Sequence, residues 1–526
     1  TAVWLPDAGE ASGKLPLSLH YLGHWSGSDG GSLFLEGGSQ SGQFEQPLTL
    51  SGDWLISGLE SLHLSSTLEF GKEHLRATLE VENGPLELHR DTHHMVASGL
   101  EVKASLNRTA VQNDSRLEAS LAEVGLPEKN LVIKNLAVDL PLAVQSELSS
   151  SAEGRITLAA VELDEEHLFS MAADLTRHGL VYHTSGSIEL LNSPDLSIPF
   201  QGELAWKSRR AALSWNMNTA SLGPGDLPSF LNLPYDLDFS GLLEAEGGIT
   251  YDRGISGWAN AAITDAHLDL SDTNVSVDGL DCAIEFPELP RLQSNPSQRC
   301  SARAIDISTL HFSDASFVFR LENPASLFIE KIRLGWCGGP LESGSLRLST
   351  QISEIDTTFN CSRVGLAELL DQFGFQGTEG EGTLNGKLPI RLSRERIDFE
   401  DGFLFSTPGT GGIVRFTDTD LLRQGVGNVS EAGFLNYTLK ALEDFTYNWT
   451  KLSFDSADDD LLLTLELDGK PSTALPFKFN TKGMLVESGQ GEGLQYPIRL
   501  DVNFRVPLVD LFQLGQSINS IIGSGQ

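Results

Sequence analysis

Apolar and polar residues alternate, segment after segment, through most of the chain. In Leu62-His63-Leu64-Ser65-Ser66-Thr67-Leu68-Glu69-Phe70 the apolar positions Leu62, Leu64, Leu68 and Phe70 share one parity, and Leu75, Ala77, Leu79 and Val81 resume the pattern after a short break. Successive side chains of a strand point to opposite faces, so each such segment predicts a strand with one apolar and one polar face. The same reading covers Leu100, Val102, Ala104 and Leu106, then Phe317, Phe319 and Leu321, then Leu463, Leu465 and Leu467. The cleanest row is the last, Ile498, Leu500, Val502, Phe504 and Val506, with Arg499, Asp501, Asn503 and Arg505 between its members.

Strands recur at a spacing of roughly ten residues, joined by Asn-Gly, Ser-Gly, Gly-Gly and proline-containing turns. Asn83-Gly84 predicts a hairpin between Leu79/Val81 and Leu86/Leu88. Helical spacing surfaces in three short places: Asp226 to Leu233, Gly365 to Phe373, and Pro507 to Ile522. The second of these stops before Gly374, a C-terminal signal. None is cationic, so each reads as a plug or cap on a sheet rather than a membrane-surface helix. Segments starting at Gly202, Phe239, Gly344 and Gly382 repeat a glycine amid alternating aliphatics, which argues for an array of one supersecondary unit. The expected fold is all-β: an elongated, twisted, mostly antiparallel sheet, curled so that Leu62, Leu68, Leu79, Phe317, Leu465 and Leu500 face a shared interior, with a few short capping helices.

Composition narrows what such a sheet could contact. The 526 residues carry 36 basic and 72 acidic side chains, a formal charge of −36. A nucleic-acid backbone or an anionic bilayer surface would be repelled, so any contact with lipid must be apolar. The 52 glycines and 22 prolines are spread along the chain instead of gathering into linkers. No apolar run approaches the length of a transmembrane helix. The chain opens directly on strand-like sequence at Thr1, which suggests a mature chain whose leader has been removed. The four cysteines form no C-x-x-C motif. Their spacing suits either two local bridges, Cys282 with Cys300 and Cys337 with Cys361, or four buried thiols.

The chain contains no nucleophile elbow, no phosphate-binding lysine loop, no dinucleotide fingerprint and no H-E-x-x-H. No catalytic residue is expected. In His89-Arg90-Asp91-Thr92-His93-His94, residues His89, Asp91 and His93 would share one strand face. That row would ligate zinc only with a fourth donor from a neighbour, and otherwise is a solvated outer face, so no metal is expected. Asp458-Asp459-Asp460 lacks the glycine and glutamate of a calcium loop and reads as an acidic turn.

The C-terminal third carries a more specific pattern. The helix at Gly365–Phe373 is followed by Gly377-Thr-Glu-Gly-Glu-Gly-Thr-Leu-Asn-Gly-Lys-Leu-Pro-Ile390, by Asp401-Gly-Phe-Leu, and by Thr407-Pro-Gly-Thr-Gly-Gly-Ile-Val-Arg-Phe416. Ala441-Leu-Glu-Asp-Phe-Thr-Tyr447, Leu463-Thr-Leu-Glu-Leu-Asp-Gly-Lys-Pro471 and a final strand running into an apolar segment complete the order. From about Gly365 to the end the chain resembles the YdbH family, relatives of the AsmA-like proteins of the Gram-negative envelope. Two regions follow: residues 1–364, the N-terminal and central part of the sheet, and residues 365–526, the YdbH-like part.

The resemblance implies a sheet folded along its length into an open hydrophobic groove, a β-taco. It also implies a periplasmic protein, held in the inner membrane by an N-terminal anchor that this chain lacks, that carries phospholipid toward the outer membrane. A small outer-membrane lipoprotein completes such a bridge. On this reading the groove is lined by Leu62, Leu64, Leu68, Phe70, Leu75, Leu79, Val81, Phe317, Phe319, Leu321, Leu463, Leu465, Leu467, Ile498, Leu500, Val502 and Phe504. The lipoprotein adds a strand at the edge Ile498, Leu500, Val502, Phe504 and Val506. Bound phospholipid or fatty acyl chains are expected, and no cofactor. The alternative is an adhesin-like β-sandwich whose apolar faces close on each other without a lipid cargo. A β-helical carbohydrate-active enzyme ranks third, because the acids lie scattered along outer faces instead of converging in a cleft.

Overall fold

The computed structural model describes residues 17–25, 30–39, 48–49, 55–90, 93–109, 115–142, 151–190, 193–223, 237–270, 274–349, 354–375, 377–393, 397–407, 409–417, 432–457, 460–489 and 493–507. The expected helices at Asp226–Leu233 and beyond Pro507 lie outside the described residues, as do Asp458 and Asp459. The fold class is all-β, and every strand pairing among the described residues is antiparallel. The chain divides into two compact units, one built mainly from residues 1–221 and the other mainly from residues 260–526.

The first unit contains β1 (Leu17–Trp25), β2 (Gly30–Ser39), β3 (Leu48–Thr49), β4 (Leu55–Ser57), β5 (His63–Gly71), β6 (His74–Asn83), β7 (Leu86–Arg90) and β8 (His93–Ser98). It continues with β9 (Leu100–Thr109), β10 (Ser115–Leu126), β11 (Leu131–Leu142), β12 (Ser151–Leu163), β13 (Glu166–His178), β14 (Val181–Leu190), β15 (Ser193–Ala205) and β16 (Arg210–Leu222). The main run is β1–β2–β5–β6–β9–β10–β11–β12–β13–β14–β15–β16. A side branch β3–β4–β7–β8 joins it where β8 pairs with β10. Asn83-Gly84 is therefore not a hairpin turn. The chain leaves β6 there and enters the branch, where β7 pairs with β4 and β8. The crossing is held by Asn83 Nδ2, which donates to the Gly58 carbonyl at 3.1 Å, and by the Gly84 amide, which donates to Ser61 Oγ at 2.7 Å.

β17 (Leu237–Asp252) and β18 (Ile255–Leu270) supply residues to both units. In the first unit the Trp215 ring lies against Gly247, where an added Cβ would sit 2.2 Å from the ring. Only glycine allows that approach.

The second unit holds β19 (Val275–Leu289), β20 (Gln298–Ile307), β21 (Leu310–Asn323), β22 (Ser326–Trp336), β23 (Gly339–Ser343), β24 (Leu346–Ser349), β25 (Glu354–Gly365), α1 (Leu366–Gln372), β26 (Glu379–Glu381) and β27 (Thr383–Ser393). After these come β28 (Ile397–Phe399), β29 (Gly402–Ser406), β30 (Gly412–Arg415), α2 (Ala432–Leu442), β31 (Phe445–Ala457), β32 (Asp460–Pro471), β33 (Phe477–Phe479), β34 (Leu485–Glu487) and β35 (Ile498–Pro507). Its run is β19–β20–β21–β22–β23–β25–β27–β29–β31–β32–β35. β33 and β34 form a separate hairpin.

Helix α1 lies where the spacing predicts it and buries Leu366, Ala367, Leu369 and Leu370. It stops at Gly374, whose φ of 96° is open to glycine, with the Phe375 amide donating to the Leu370 carbonyl at 3.0 Å. Helix α2 was not expected. Its Tyr437 ring stands edge-on to Phe477, centroids 5.2 Å apart, and the Tyr496 amide donates to Tyr437 Oη at 2.6 Å.

Candidate functional site: the uncovered apolar face

In the first unit the strand register turns separate alternations into continuous cross-strand rows. One row reads Gly37, Leu64, Val81, Val102, Ala119, Val138, Ile156, Ala173, Gly186, Phe200 and Trp215, one residue from each of eleven consecutive strands, β2 to β16 along the main run. Every member is apolar or glycine. The row one position away, on the opposite face, reads Glu36, Ser65, Glu80, Lys103, Glu118, Asp139, Arg155, Asp174, Ser185, Gln201 and Ser214, and every member is polar. A single-residue slip in any strand would exchange the two, so the burial pattern itself fixes the register.

The polar face carries mixed charge. Lys103 Nζ lies 2.8 Å from Glu80 and holds that carboxyl below its ordinary range, and Arg116 pairs with Asp139. The apolar face continues beside the first row through Leu121, Leu136, Leu158, Met171, Ile188 and Ile198. At about 4.8 Å per strand the eleven-strand row spans about 48 Å, roughly three times the depth of one bilayer leaflet's hydrocarbon.

This face is only half covered. In the row, Gly37, Ala173 and Phe200 are buried and the other members keep part of their surface open. Among the described residues both α-helices belong to the second unit.

The second unit repeats the design and then closes it. Leu334, Leu341, Cys361, Gly386, Leu404, Leu452, Leu465 and Val502 form a row across eight strands. All but Leu334 and Gly386 are buried, in a core that includes Leu366, Leu369 and Leu370 of α1, Tyr437, Leu439 and Leu442 of α2, and Phe477 and Leu485 of the β33–β34 hairpin. Phe373 bridges edge-on between Trp336 and Phe454, with centroids 6.4 and 6.0 Å away.

The expected lining residues thus fall into two environments. Leu62 ends a 3-10 turn just before β5, while Leu64, Leu68, Phe70, Leu75, Leu79 and Val81 share the open apolar face of the first unit. All are half-buried except Leu79, which is 39% exposed. Phe317, Phe319 and Leu321 are half-buried on β21. Leu463, Leu465, Leu467, Ile498, Leu500 and Val502 are buried in the protein core of the second unit. By register Phe504 stands opposite Leu463, and Val506 opposite Leu461. The row members Val138, Ile156, Phe200 and Trp215 were not singled out in the sequence, although Leu136, Val138, Leu140 and Leu142 carry the same alternation as the segments that were.

Cys282 and Cys300 face each other across β19 and β20 and are joined by a disulfide. Cys337 and Cys361 are free thiols. Burial pushes both up to about 12, with Glu368 adding to the effect at Cys337. His89 and His93 do not occupy one strand: β7 ends at Arg90 and β8 begins at His93, so that His89 faces His94, while Asp91 lies outside the described residues.

A unit whose antiparallel strands assemble a continuous apolar face and a polar face, as the first unit's do, is a one-sided β-sheet, a class that needs an apolar partner for its open face. No helix of the described residues is long and apolar enough to cross a membrane. The chain belongs to the YdbH-like family, described as the intermembrane phospholipid transport protein YdbH, whose model matches residues 234–523, more than half of the sequence. The match begins well upstream of Gly365 and takes in β17 to β25 as well as the C-terminal third. No curated protein and no solved structure matches the chain.

Proposed function

We propose that the open apolar face of the first unit holds the acyl chains of phospholipids in transit between the two membranes of a Gram-negative envelope, as part of a periplasmic bridge. The observation that carries this reading is the eleven-strand apolar row, half-buried and without a helix in its unit among the described residues. Each methylene laid on such a surface contributes about 0.8 kcal/mol when removed from water, while headgroups stay hydrated. The row lacks charge throughout, which suits a cargo recognised by its hydrocarbon instead of by a specific headgroup. In the second unit the helices and the hairpin take the place that lipid takes in the first.

The family resemblance supports two further elements: an inner-membrane anchor at the N-terminal side, and a small outer-membrane lipoprotein that adds a strand to the edge of β35. Among the described residues β35 pairs only with β32, which supports strand addition at its other edge. Proline at Val502 and Phe504 is expected to abolish that pairing, whereas alanine at Arg499 and Arg505 leaves it intact.

A photo-crosslinking amino acid at Val138, compared with one at the neighbouring Ala137 on the polar face, tests the cargo. Phospholipid crosslinked from Val138 and not from Ala137 is the expected result. Equal yields, or an organic extract of the purified protein without phospholipid, would favour a closed sandwich.

A further inference from the structure

We propose that Glu87, His89 and His94, in the side branch of the first unit, form a binding site for a divalent transition-metal ion of the zinc type. The donor atoms of these three side chains all lie within 4.8 Å of one another. They come together because His89 and His94 are direct partners in the β7–β8 register, and Glu87, two residues before His89, projects to the same face.

Ring packing places the two imidazoles, and two further features of the cluster point to an ion. The His89 and His94 rings are stacked almost parallel, 7° between planes and 4.2 Å between centroids. A parallel stack at this spacing is one of the contacts that aromatic rings favour by themselves, and it holds the two imidazoles side by side. His94 Nε2 is buried and has no hydrogen-bond partner. A buried polar atom left unpaired is costly, and a metal is one of the groups that satisfies it. His89 Nε2 and Glu87 Oε2 are 3.3 Å apart. Two donors each about 2.0–2.1 Å from a tetrahedral ion are separated by about 3.3 Å, so this pair already spans one edge of the coordination shell. Bringing the widest pair to the same spacing takes about 1.5 Å, within reach of side-chain rotation.

Two imidazoles with one carboxylate suit zinc, whereas magnesium and calcium take oxygen shells. Glu87 is exposed, so water completes the fourth position. An ion here ties β7 to β8 one residue pair before the connection between them, in a branch whose β3 and β4 are only two and three residues long.

Calorimetric titration of the whole chain, stripped with chelator, against zinc chloride tests the site. One equivalent is expected to bind, with affinity falling about 100-fold in H89A and in H94A, about 10-fold in E87Q, and not at all in H183A. As a check that needs no variant, diethyl pyrocarbonate labelling of the wild-type chain read by mass spectrometry should drop at His89 and His94 on zinc addition and hold at His183 and His311. Absence of stoichiometric uptake, equal affinity in H89A and H183A, or zinc protection spread evenly over all histidines would overturn the proposal.

Discussion

Leu465 stands directly opposite Val502 across β32 and β35, and neither exposes any surface. The pair belongs to the second unit's own row, which, unlike the row of the first unit, is sealed by α1, α2 and the β33–β34 hairpin. Truncation should therefore be costly. Leu465→Ala is expected to destabilise the second unit by about 2–5 kcal/mol, and Leu465→Asp to leave it unfolded, both read by denaturant melts. A folded Leu465→Asp protein with impaired lipid transfer would instead place this position in an open groove.

Val138 and Ala137 are sequence neighbours on opposite faces of β11. A carboxylate on the apolar face must shed water wherever an acyl chain covers it, whereas one on the polar face stays hydrated. Val138→Asp should cut co-purifying phospholipid about tenfold while retaining the strand signal in circular dichroism, and Ala137→Asp should match the parent chain.

The two free thiols give a pH prediction. Burial holds Cys337 and Cys361 protonated, each raised from 9.0 to about 12, and raises Tyr447 to about 12 as well. A group raised in the folded state stabilises it fully below the unfolded value and loses that contribution as pH rises through the folded one. Stability of the second unit should hold up to pH 9 and fall toward pH 12. At pH 8 iodoacetamide should modify no cysteine of the native chain, two after unfolding without reductant, and all four after reduction. Rapid labelling of native Cys337 would contradict its burial.

Trp215 and Gly247 form a tight pair in the first unit. Gly247→Ala places a methyl inside the indole and is expected to cost about 1–3 kcal/mol, and Trp215→Ala in the same chain should recover part of that loss. Additive effects in the double variant would show that the ring does not rest on this glycine.

Reduction of the Cys282–Cys300 bridge closes the set. The 18-residue separation sets a ceiling of about 3 kcal/mol on the stability lost, and the cross-strand pairs around the bridge should hold the measured loss below it. A melt unchanged by reductant would show that the pairing alone fixes this register.

The alternation at Leu64 to Phe70 or Leu463 to Leu467 was legible because side-chain parity is a local property of a strand. Pairing is not local. Asn83-Gly84 has the residues of a hairpin turn, yet the strand after it goes to Leu55–Ser57 and His93–Ser98, partners that no turn chemistry encodes. Nor can parity reveal what covers a face. Leu465 and Val81 read alike in sequence, and only the distant segments 366–372, 432–442 and 477–487 make one a core residue and leave the other half open. Helix α2 carried a signal in Leu435, Leu439 and Leu442, spaced for one helical face, but its surroundings are dominated by strand-like alternation. The histidines were visible as a group, but their pairing, His89 with His94, follows from the register of β7 with β8 and not from side-chain parity along one strand.

Because each of eleven strands along the first unit's main run gives one residue to the apolar row through register alone, the row does not depend on any particular strand. Gaining or losing a whole hairpin would lengthen or shorten it by about 10 Å and leave both faces intact. A single-residue insertion inside β11 would instead bring Ala137 or Asp139 into line with Ile156 and break it. Lineages of such a chain are thus free to change reach in paired-strand steps, and relatives should differ in length by multiples of a hairpin more readily than by odd residues within strands.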